Sequence, residues 1–514
     1  MIFVNSVRMA RRRGPRSLSA PLRISSAAAA TAALAIAAVL LLAGGRDDAD
    51  SAPHSLAAIP VTVGLDARRP GRPVQRRFLG LSFELAALPR ISAYANSGNL
   101  VGLLRSLGPG VLRFGGVSAD TQVAWVDRRT PVPPWATATV TPSDLRRLGR
   151  LAARSGWRVL LTIGVLHYEP IAAAREAAAA KAALGPRLAA IEIGNEPDAY
   201  ASHHFRSLPW TYAQYDAEVT GYRRAIASAA HGIRLAGPGV SGSQIFQTWG
   251  PGEAAAQRPW LLTGHHYPLG CHQVPPPSIQ RLLSPEIRML EAQSLRRFMT
   301  VSRSSSIPFR LDEVNSVSCG GTAGISNTFA AALWATGYIA QAMAAGVAGI
   351  NFQGNPANCR GYSPLCAPTP ARLARGVLGV QPEWYALLLA RHLLGSRPVH
   401  AYVVSSGAPN LVVRAFEAGD GTLRVVIVDE DPLTAAPAAV KLHTGRRYRS
   451  MTVLALSAPS TTAGTGVRLG GRSVARDGSW SEPSAAAKRA SRPGSISVTV
   501  APSTAVLLTL PSSG

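Results

Sequence analysis

The sequence is poor in lysine and in acidic residues. Its 514 residues include three lysines, so arginine supplies almost all of the 53 basic side chains, against 28 acidic ones. The net charge of +25 would suit a polyanionic partner, or it reflects a compositional bias that replaces lysine by arginine. No run of five basic residues, no zinc-finger spacing and no Lys/Arg-Gly-Phe motif accompanies this charge. We therefore expect no nucleic-acid partner.

Cysteine is scarce as well. The four cysteines, Cys271, Cys319, Cys359 and Cys366, include no Cys-x-x-Cys pair and no cluster at metal-ligand spacing. This absence argues against a zinc site, whereas an even number of cysteines in an exported chain favours disulfides. Cys359 and Cys366 could staple a short loop, and Cys271 and Cys319 would then join two longer loops. The sequence alone leaves all three pairings open.

The first 58 residues resemble an export segment followed by a linker. Six arginines precede an uncharged stretch at residues 24–45, and three aspartates follow it. This order is typical of a signal peptide, and the stretch is also long enough to span a bilayer. We expect residues 1–45 to be a signal peptide or signal anchor, with possible membrane anchorage through residues 24–45, and residues 46–58 to be a linker. Either segment would place the rest of the chain outside the cytoplasm, as an extracellular or cell-surface protein.

With 47% hydrophobic and 16% charged residues, the chain is too apolar to be disordered. Apolar runs alternate with helical segments over much of its length, and they predict eight strands at 78–83, 111–114, 159–163, 188–193, 233–236, 260–263, 309–311 and 349–352. Eight strands alternating with helices predict a (β/α)8 TIM barrel, which we place at residues 76–394. An open doubly wound sheet is the alternative, but no Gly-x-Gly-x-x-Gly follows the first strand.

The pattern changes near residue 395. Alternating or apolar runs separated by Gly, Pro, Ser and Asp predict strands at 411–416, 423–429, 448–456, 495–500 and 505–510. They predict a C-terminal all-β sandwich over residues 395–514. Residues 59–75 read as strand, turn and strand, and they could pair with this sheet, which would make the β-domain discontinuous.

Two predicted barrel strands end in carboxylates that suit catalysis, Glu196 in IEIGNEPDAY and Glu313 in FRLDEVNS. Catalytic groups on a barrel lie at the C-terminal ends of its strands. Two carboxylates there can hydrolyse a glycosidic bond, because one protonates the leaving oxygen while the other attacks the anomeric carbon. The pair supplies both proton and nucleophile, so we expect no cofactor and no metal. Asn195 could hydrogen-bond the sugar 2-hydroxyl.

These stretches resemble glycoside hydrolase family 79, the heparanase and β-glucuronidase family. The matching segments are FLGLSFEL (78–85), VLRFGGVSAD (111–120), IEIGNEPDAY (191–200), LAGPGV (235–240), TGHHYPL (263–269) and DEVNSVSCGGTAGISNTFAAALW (312–334), with GINFQGNP and GYSP matching more weakly. The resemblance implies a retaining barrel in which Glu196 is the acid/base and Glu313 is the nucleophile. It also implies that Glu84, Asn195 and Tyr267 line the first sugar subsite.

Members of this family act on glucuronic acid, so the resemblance implies a receptor for the sugar carboxylate. In the family, backbone amides of the glycine-rich loop after the nucleophile and a tyrosine after the eighth strand serve this purpose. The corresponding residues here would be Gly320, Gly321 and Tyr362. Cys319 stands where the family has a glycine, and a disulfide from it to Cys271 would brace the pocket.

The expected function is that of a retaining β-glucuronidase acting on a glucuronide or a glucuronic-acid-containing glycan. One alternative is an endo-acting, heparanase-like hydrolase of an acidic polysaccharide. Another is a non-catalytic carbohydrate-binding protein of the cell surface, although such a protein has no need for both carboxylates. Asp120 could bind sugar or cap the segment that follows it, and Glu192 lies deeper in its strand, where we expect a structural role.

Overall fold

The computed structural model describes residues 56–512, with gaps at 406–408, 449, 484–487 and 490–493. The predicted export segment at residues 1–45 lies outside the described residues, as does most of the predicted linker. Among the helices of the described residues, none has both the length and the apolar character needed to cross a membrane.

The described strands are short, and most fall where an apolar run stands in the sequence. In chain order they are β1 (Ile59–Asp66), β2 (Leu79–Glu84), β3 (Val111–Gly115), β4 (Val123–Trp125), β5 (Ala138–Val140), β6 (Arg158–Ile163), β7 (Leu188–Ile193), β8 (Leu235–Val240), β9 (Leu261–His266), β10 (Phe309–Val314), β11 (Gly349–Gln353), β12 (Leu365–Cys366), β13 (Gly379–Val380), β14 (Arg397–Ser405), β15 (Leu411–Glu417), β16 (Leu423–Asp429), β17 (Ala438–His443), β18 (Ser450–Ser457), β19 (Arg468–Leu469), β20 (Lys488–Arg489), β21 (Ser495–Val500) and β22 (Thr504–Leu510).

The α-helices lie between residues 88 and 390, and short 3-10 helices occur at Leu85–Ala87, Gly185–Arg187, Pro197–Ala199 and Arg391–Leu393. In chain order the α-helices are α1 (Leu88–Ala93), α2 (Leu100–Ser106), α3 (Ser118–Thr121), α4 (Pro142–Ser155), α5 (Pro170–Leu184), α6 (Tyr212–Ala229), α7 (Ser243–Ala256), α8 (Ile279–Leu282), α9 (Pro285–Ser305), α10 (Phe329–Ala345), α11 (Pro370–Ala374) and α12 (Pro382–Ala390).

Eight parallel strands close into a barrel in the order β2, β3, β6, β7, β8, β9, β10 and β11, which confirms the predicted (β/α)8 fold. The barrel interior is layered because side chains alternate between its two faces. An apolar layer at the N-terminal strand ends consists of Val111, Leu160, Ala190, Ala236 and Leu261. Two residues further along β3, β6 and β7, the same face carries polar side chains, and these begin the candidate site.

Helix α4 shows how the sequence sets a helix of the outer ring. At the start of the helix, Thr141 precedes Pro142 and forms a capping box with Asp144. Such a cap contributes about 1 kcal/mol. Gly156, with φ 79°, ends the helix in the left-handed region that favours glycine. Between the two ends the spacing of Leu145, Leu148 and Leu151 places all three leucines on the buried face, packed against the barrel.

The β-domain is a continuous sheet that bends at β14. Residues 397–399 of β14 pair with β15, whereas its residues 400–405 pair with β1. Strand β1 also pairs in parallel with β17, so it lies inside this sheet. The two halves enclose a hydrophobic core of their own, which contains Val61 and Val440 from one half and Val425 and Leu508 from the other. The C-terminal part of the chain thus forms the expected sandwich.

The structure differs from the expectation for residues 59–75, because the chain forms one strand there and not two. After Asp66 the backbone has no regular strand, and Pro70 and Pro73 explain this, since proline has no N–H to donate to a sheet. The segment is instead tied by two hydrogen bonds, from Gly71 N–H to Pro398 O and from Val74 N–H to Ser396 O, each 2.8 Å long.

Truncation of the buried face of α4 tests this account of the barrel. Leu148→Ala should lower the free energy of unfolding by roughly 2–5 kcal/mol, because the fully buried leucine leaves a cavity. Arg146→Ala, on the exposed face of the same helix, should change it by no more than about 0.5 kcal/mol. Denaturant titration of both variants measures the difference, and equal effects would contradict the assigned buried face.

Candidate active site

A buried arginine lies at the centre of the candidate site. Arg113, on β3, is fully buried and faces the barrel interior. Its guanidinium contacts Glu192 on β7 at 2.9 Å, and Asp312 and Glu313 on β10 at 2.8 and 2.7 Å. It also donates to the side-chain oxygen of Asn195 at 2.9 Å. One cation therefore links strands from opposite sides of the barrel.

Glu196 follows β7 in an uncommon backbone conformation. Its φ of 47° and ψ of 49° lie in the left-handed region, which a non-glycine residue rarely adopts. Its own N–H donates to Gly239 O at 2.8 Å, and this bond anchors the end of β7 to β8. The conformation turns the carboxyl group into the barrel mouth, where the side chain remains partly exposed.

Asp120 holds the backbone around this strand end. Its carboxylate is buried and accepts N–H bonds from Val165 and Leu166 after β6, at 2.8 and 3.2 Å. It also accepts from Asn195 N–H at 2.8 Å, and burial raises its pKa. The carboxylate thus holds the ends of β6 and β7, and among the described residues it makes no hydrogen bond to the segment that follows Asp120, although the sequence suggested capping of that segment as one of two roles.

Glu196 forms a close pair with His265 of β9. The distance from His265 Nδ1 to Glu196 Oε1 is 2.8 Å. Burial acts to lower the pKa of His265, but the charges of Glu313 and Asp312 and the bond to Glu196 raise it well above the usual range. Burial acts to raise the pKa of Glu196, but the hydrogen bond and charge of His265 lower it. Both shifts favour a protonated His265 beside an ionised Glu196.

Glu313 lies at the mouth end of β10, within reach of this pair. Arg113 donates to its Oε2 at 2.7 Å and the Tyr267 hydroxyl donates to its Oε1 at 2.8 Å. Its Oε1 is 4.0 Å from His265 Nδ1, and an oxygen of Glu196 and an oxygen of Glu313 lie within 4.8 Å of each other. The two carboxylates predicted to be catalytic thus face each other across the barrel mouth.

Two further carboxylates support the cluster from below. Burial, and next the charge of Asp312, raise the pKa of Glu192 to about 7, so this group can hold a proton near neutrality. Burial opposes ionisation of Asp312, yet Arg113 and His265 keep its pKa well below the usual range. Glu192 also accepts from Thr162 at 2.7 Å, in keeping with the structural role expected for it.

Glu84 and Tyr362 line the other side of the site. Glu84 Oε2 accepts bonds from the backbone N–H and the hydroxyl of Ser118. Burial, and then the charge of Glu313, raise the pKa of Glu84. The Tyr362 hydroxyl lies 3.3 Å from that of Tyr267, and the two rings stack at 5.7 Å. Both residues therefore lie beside the Glu313 carboxylate.

The two glycines of the expected carboxylate receptor differ in what their amides do. Cys319, Gly320 and Gly321 all have positive φ, at 58°, 89° and 86°. Gly321 N–H donates to Ser318 O at 3.2 Å, whereas Gly320 N–H makes no hydrogen bond within the described chain. Gly320 O accepts from Tyr362 N–H at 3.1 Å, so the loop after β10 and the loop after β11 are joined.

Two disulfides brace these loops. Of the three pairings that the sequence allows, the structure has Cys271–Cys319 and Cys359–Cys366. The first joins the loops that follow β9 and β10. The second closes the loop that contains Tyr362. Cys319, with φ 58°, has a left-handed conformation that usually favours glycine, and it is one of the two cysteines of the first disulfide.

Two groups of side chains could reach a metal ion. Glu196, His265 and Glu313 each place one ligand atom within 4.8 Å of the others, and so do Cys271, His272 and Cys319. In the first group the neighbouring carboxylates raise the pKa of His265, which favours a protonated ring over a metal ligand. In the second group both sulfurs are already bonded to each other.

The sequence assigned no role to Arg113 or Asp312 at this centre, and for His265 it suggested packing or contact with a sugar. A signal for Arg113 was present, since a charged residue inside the apolar run VLRFG must be paired if it is buried. His265 and His266 alternate, so that His265 faces the barrel interior while His266 stacks on Tyr338 of α10 at 4.9 Å.

The fold is similar to several solved glycoside hydrolase structures. They include a 4-O-α-L-rhamnosyl-β-D-glucuronidase from Fusarium oxysporum (19% identity, TM-score 0.71), a GH51 arabinofuranosidase from Xanthomonas axonopodis pv. citri (14%, 0.64) and a GH30 endoxylanase from Clostridium papyrosolvens (12%, 0.52). Each similarity covers 88% of this chain and 100% of the other. At these identities it shows a shared fold alone. No family model and no curated protein sequence matches the chain.

The charge state of His265 can be measured directly. Because the neighbouring carboxylates raise its pKa, its ring should remain protonated at pH 7, where a free histidine with a pKa near ~6.5 is mostly neutral. Ring nitrogen shifts followed by NMR from pH 5 to 9 report this, and Glu313→Gln should lower the titration midpoint. His167, whose pKa burial lowers, serves as the control that is neutral at pH 7. A His265 midpoint below that of a free histidine would contradict the assigned pair.

Proposed function

We propose that this protein is a retaining glycoside hydrolase that cleaves β-linked glucuronic acid residues. The observation that carries the proposal is the facing pair at the barrel mouth, in which oxygens of Glu196 and Glu313 lie within 4.8 Å. Retaining enzymes hold their carboxyl groups ~5–5.5 Å apart, and inverting enzymes ~6.5–9.5 Å apart. The short separation supports a double displacement, and the sequence motifs support kinship with family 79.

Glu313 is placed to act as the nucleophile. Arg113 and Tyr267 donate to its two oxygens, so the carboxylate is fixed in orientation and its charge is balanced. One of its oxygens attacks the anomeric carbon while the bond to the leaving oxygen breaks, which gives a covalent glycosyl ester. Water then hydrolyses this ester and restores Glu313.

Glu196 is placed to act as the acid and then as the base. The pKa shifts of the Glu196–His265 pair favour a proton on His265, whose Nδ1 is 2.8 Å from Glu196. During the first step this proton passes through Glu196 to the leaving oxygen. During the second step Glu196 takes a proton from the attacking water, which leaves the pair ready for the next cycle.

Three side chains are placed to hold the sugar. Asn195 uses its side-chain oxygen to accept from Arg113, and its amide nitrogen makes no hydrogen bond within the described chain, so it can donate to the 2-hydroxyl. Glu84 is held by Ser118 and can accept from sugar hydroxyls. Tyr267 lies between Glu313 and Tyr362, at the edge of the space for the ring.

The sugar carboxylate would be received by the Tyr362 hydroxyl and the Gly320 amide. Burial and the charge of Glu313 raise the pKa of Tyr362, so its hydroxyl remains a donor at neutral pH. Backbone and hydroxyl donors can bind an anion without a cation. The similar Fusarium enzyme is itself a glucuronidase, which supports this choice of substrate.

The two disulfides support an exported protein.

Removal of the nucleophile tests the mechanism. Glu313→Ala should reduce turnover of an aryl β-glucuronide by at least about 10⁴-fold, because no glycosyl ester can form. Glu430→Gln is the control variant. It removes a carboxylate of the β-domain that pairs with Arg288 of α9, and turnover should be retained. The rates are measured by release of the aryl group, with circular dichroism as a check of folding. Full activity of Glu313→Ala would refute the assignment.

The choice of sugar is tested through Tyr362. The wild-type protein should prefer an aryl β-glucuronide to the matching β-glucoside, and Tyr362→Phe should reduce this preference about 10- to 100-fold, the worth of one hydrogen bond to a charged group. Tyr402→Phe, an exposed tyrosine of the β-domain, is the matched control and should leave the ratio unchanged. Equal kcat/KM values for the two substrates in the wild type would rule out the uronate assignment while leaving glycosidase activity intact.

A further inference from the structure

The end of the barrel opposite the catalytic pair lacks negative charge. The segments that lead into the eight barrel strands contain no aspartate or glutamate; they are residues 75–78, 107–110, 156–157, 185–187, 230–234, 257–260, 306–308 and 346–348. Arginines stand within or directly after several of them. Positive charge is therefore gathered at this end without acidic side chains in the loops to balance it.

Some of these basic residues have a structural role. Arg77 donates to Gly156 O at 2.8 Å, Arg105 to Arg154 O at 2.7 Å, and Arg223 to Gln257 O at 2.6 Å. These carbonyls lie at helix C-termini, where a cation offsets the helix dipole. The helix dipoles thus account for the positions of Arg77, Arg105 and Arg223 at this end of the barrel.

Four other arginines have no such role. Arg158, Arg187, Arg234 and Arg258 stand at or before the start of β6, β7, β8 and β9, which are neighbours in the barrel. Within the described residues, none of their guanidinium groups forms a hydrogen bond or an ion pair. Burial, and then the charges of Arg158 and Arg187, lower the pKa of Arg77, so the cations of this end repel one another. Such a group of charges attracts anions.

A recess lies at one end of this group. It has a volume of about 360 Å³ and lies between the end of α6 and the segment before β9. Arg234 and Arg258 line it together with Trp260, and no acidic residue does. Trp260 is 40% exposed, and the Arg234 guanidinium lies 4.7 Å from the centre of its ring. A partly exposed aromatic ring thus lies beside the Arg234 guanidinium, which covers part of it, and the recess also contains the Arg258 guanidinium, which has no hydrogen bond or ion pair among the described residues.

We propose that this recess binds a carboxylated sugar unit of an acidic polysaccharide, at a site separate from the catalytic pair. A guanidinium can donate two parallel hydrogen bonds to a carboxylate, and the tryptophan face can pack against the C–H face of a sugar ring. The volume lies within the range of small-ligand pockets. A concave site of this size fits a single ring, whereas a membrane presents a plane of headgroups.

The test uses the full chain with Glu313→Gln, so that binding is measured without turnover. Its affinity for polygalacturonate is compared with that for the carboxyl-reduced polymer, by calorimetry at fixed salt. Arg234→Gln/Arg258→Gln and, separately, Trp260→Ala should each weaken polygalacturonate binding about tenfold or more, since charge-assisted hydrogen bonds or ring packing are lost. Thermal unfolding confirms that each variant is folded.

The control variant is Arg146→Gln/Arg150→Gln, which removes two exposed charges from α4, away from any aromatic ring. It should change affinity less than twofold. An equal loss in this control would show that net charge alone binds the polymer and would overturn the proposal. So would unchanged affinity in the recess variants, or recess-dependent binding to phosphatidylglycerol vesicles in place of the polymer. Because no turnover is measured, failure here is distinct from failure of the proposed hydrolysis.

Discussion

The buried guanidinium of Arg113 is the charge on which the site depends. It offsets Glu192, Asp312 and Glu313, which come from strands distant in sequence, and all of these groups are nearly inaccessible to water. Carboxylates this close to one another repel strongly when no cation lies between them. An arginine left unpaired in a protein interior costs ~3–5 kcal/mol. The site therefore exists only where the closed barrel brings these strands together. Burial, and next the charge of Asp312, raise the pKa of Glu192 to about 7 despite the attraction of Arg113.

The sequence allowed the barrel and the two facing carboxylates to be predicted, because both depend on local patterns. Apolar runs mark strands, and Glu196 and Glu313 stand at the ends of such runs. The strand ends themselves were predicted too short at β8, β9 and β10. Asp312 and His265 look like loop residues in a linear sequence, but the closed barrel gives them an interior polar layer to face. Their partners could not be predicted, since only the closed barrel brings β3, β9 and β10 residues together.

Part of the positive charge of the chain lies away from its candidate chemistry. At the mouth, the groups that we propose to receive a sugar carboxylate are a hydroxyl and a backbone amide, and the nearby guanidinium of Arg113 is bonded to buried carboxylates. Arg158, Arg187, Arg234 and Arg258 lie at the other end of the barrel. Composition alone could not reveal this separation, because it depends on which loops the arginines occupy. A receptor built from neutral donors can distinguish a carboxylate by geometry, while free arginines act over longer range.

The apolar layer formed by Val111, Leu160, Ala190, Ala236 and Leu261 limits the routes by which molecules can reach the candidate site and leave it. It closes the barrel beneath Arg113, so the ion cluster opens to solvent on the side of the loops that follow the strands. Sugar, water and leaving group then enter and leave through the same opening, the gateway, on the side of these loops. In a double displacement the aglycone must clear that gateway before water can take its place behind the anomeric carbon. The loops after β9 and β10, joined by the Cys271–Cys319 disulfide, border this same side, so a shift in either loop would alter entry and exit together.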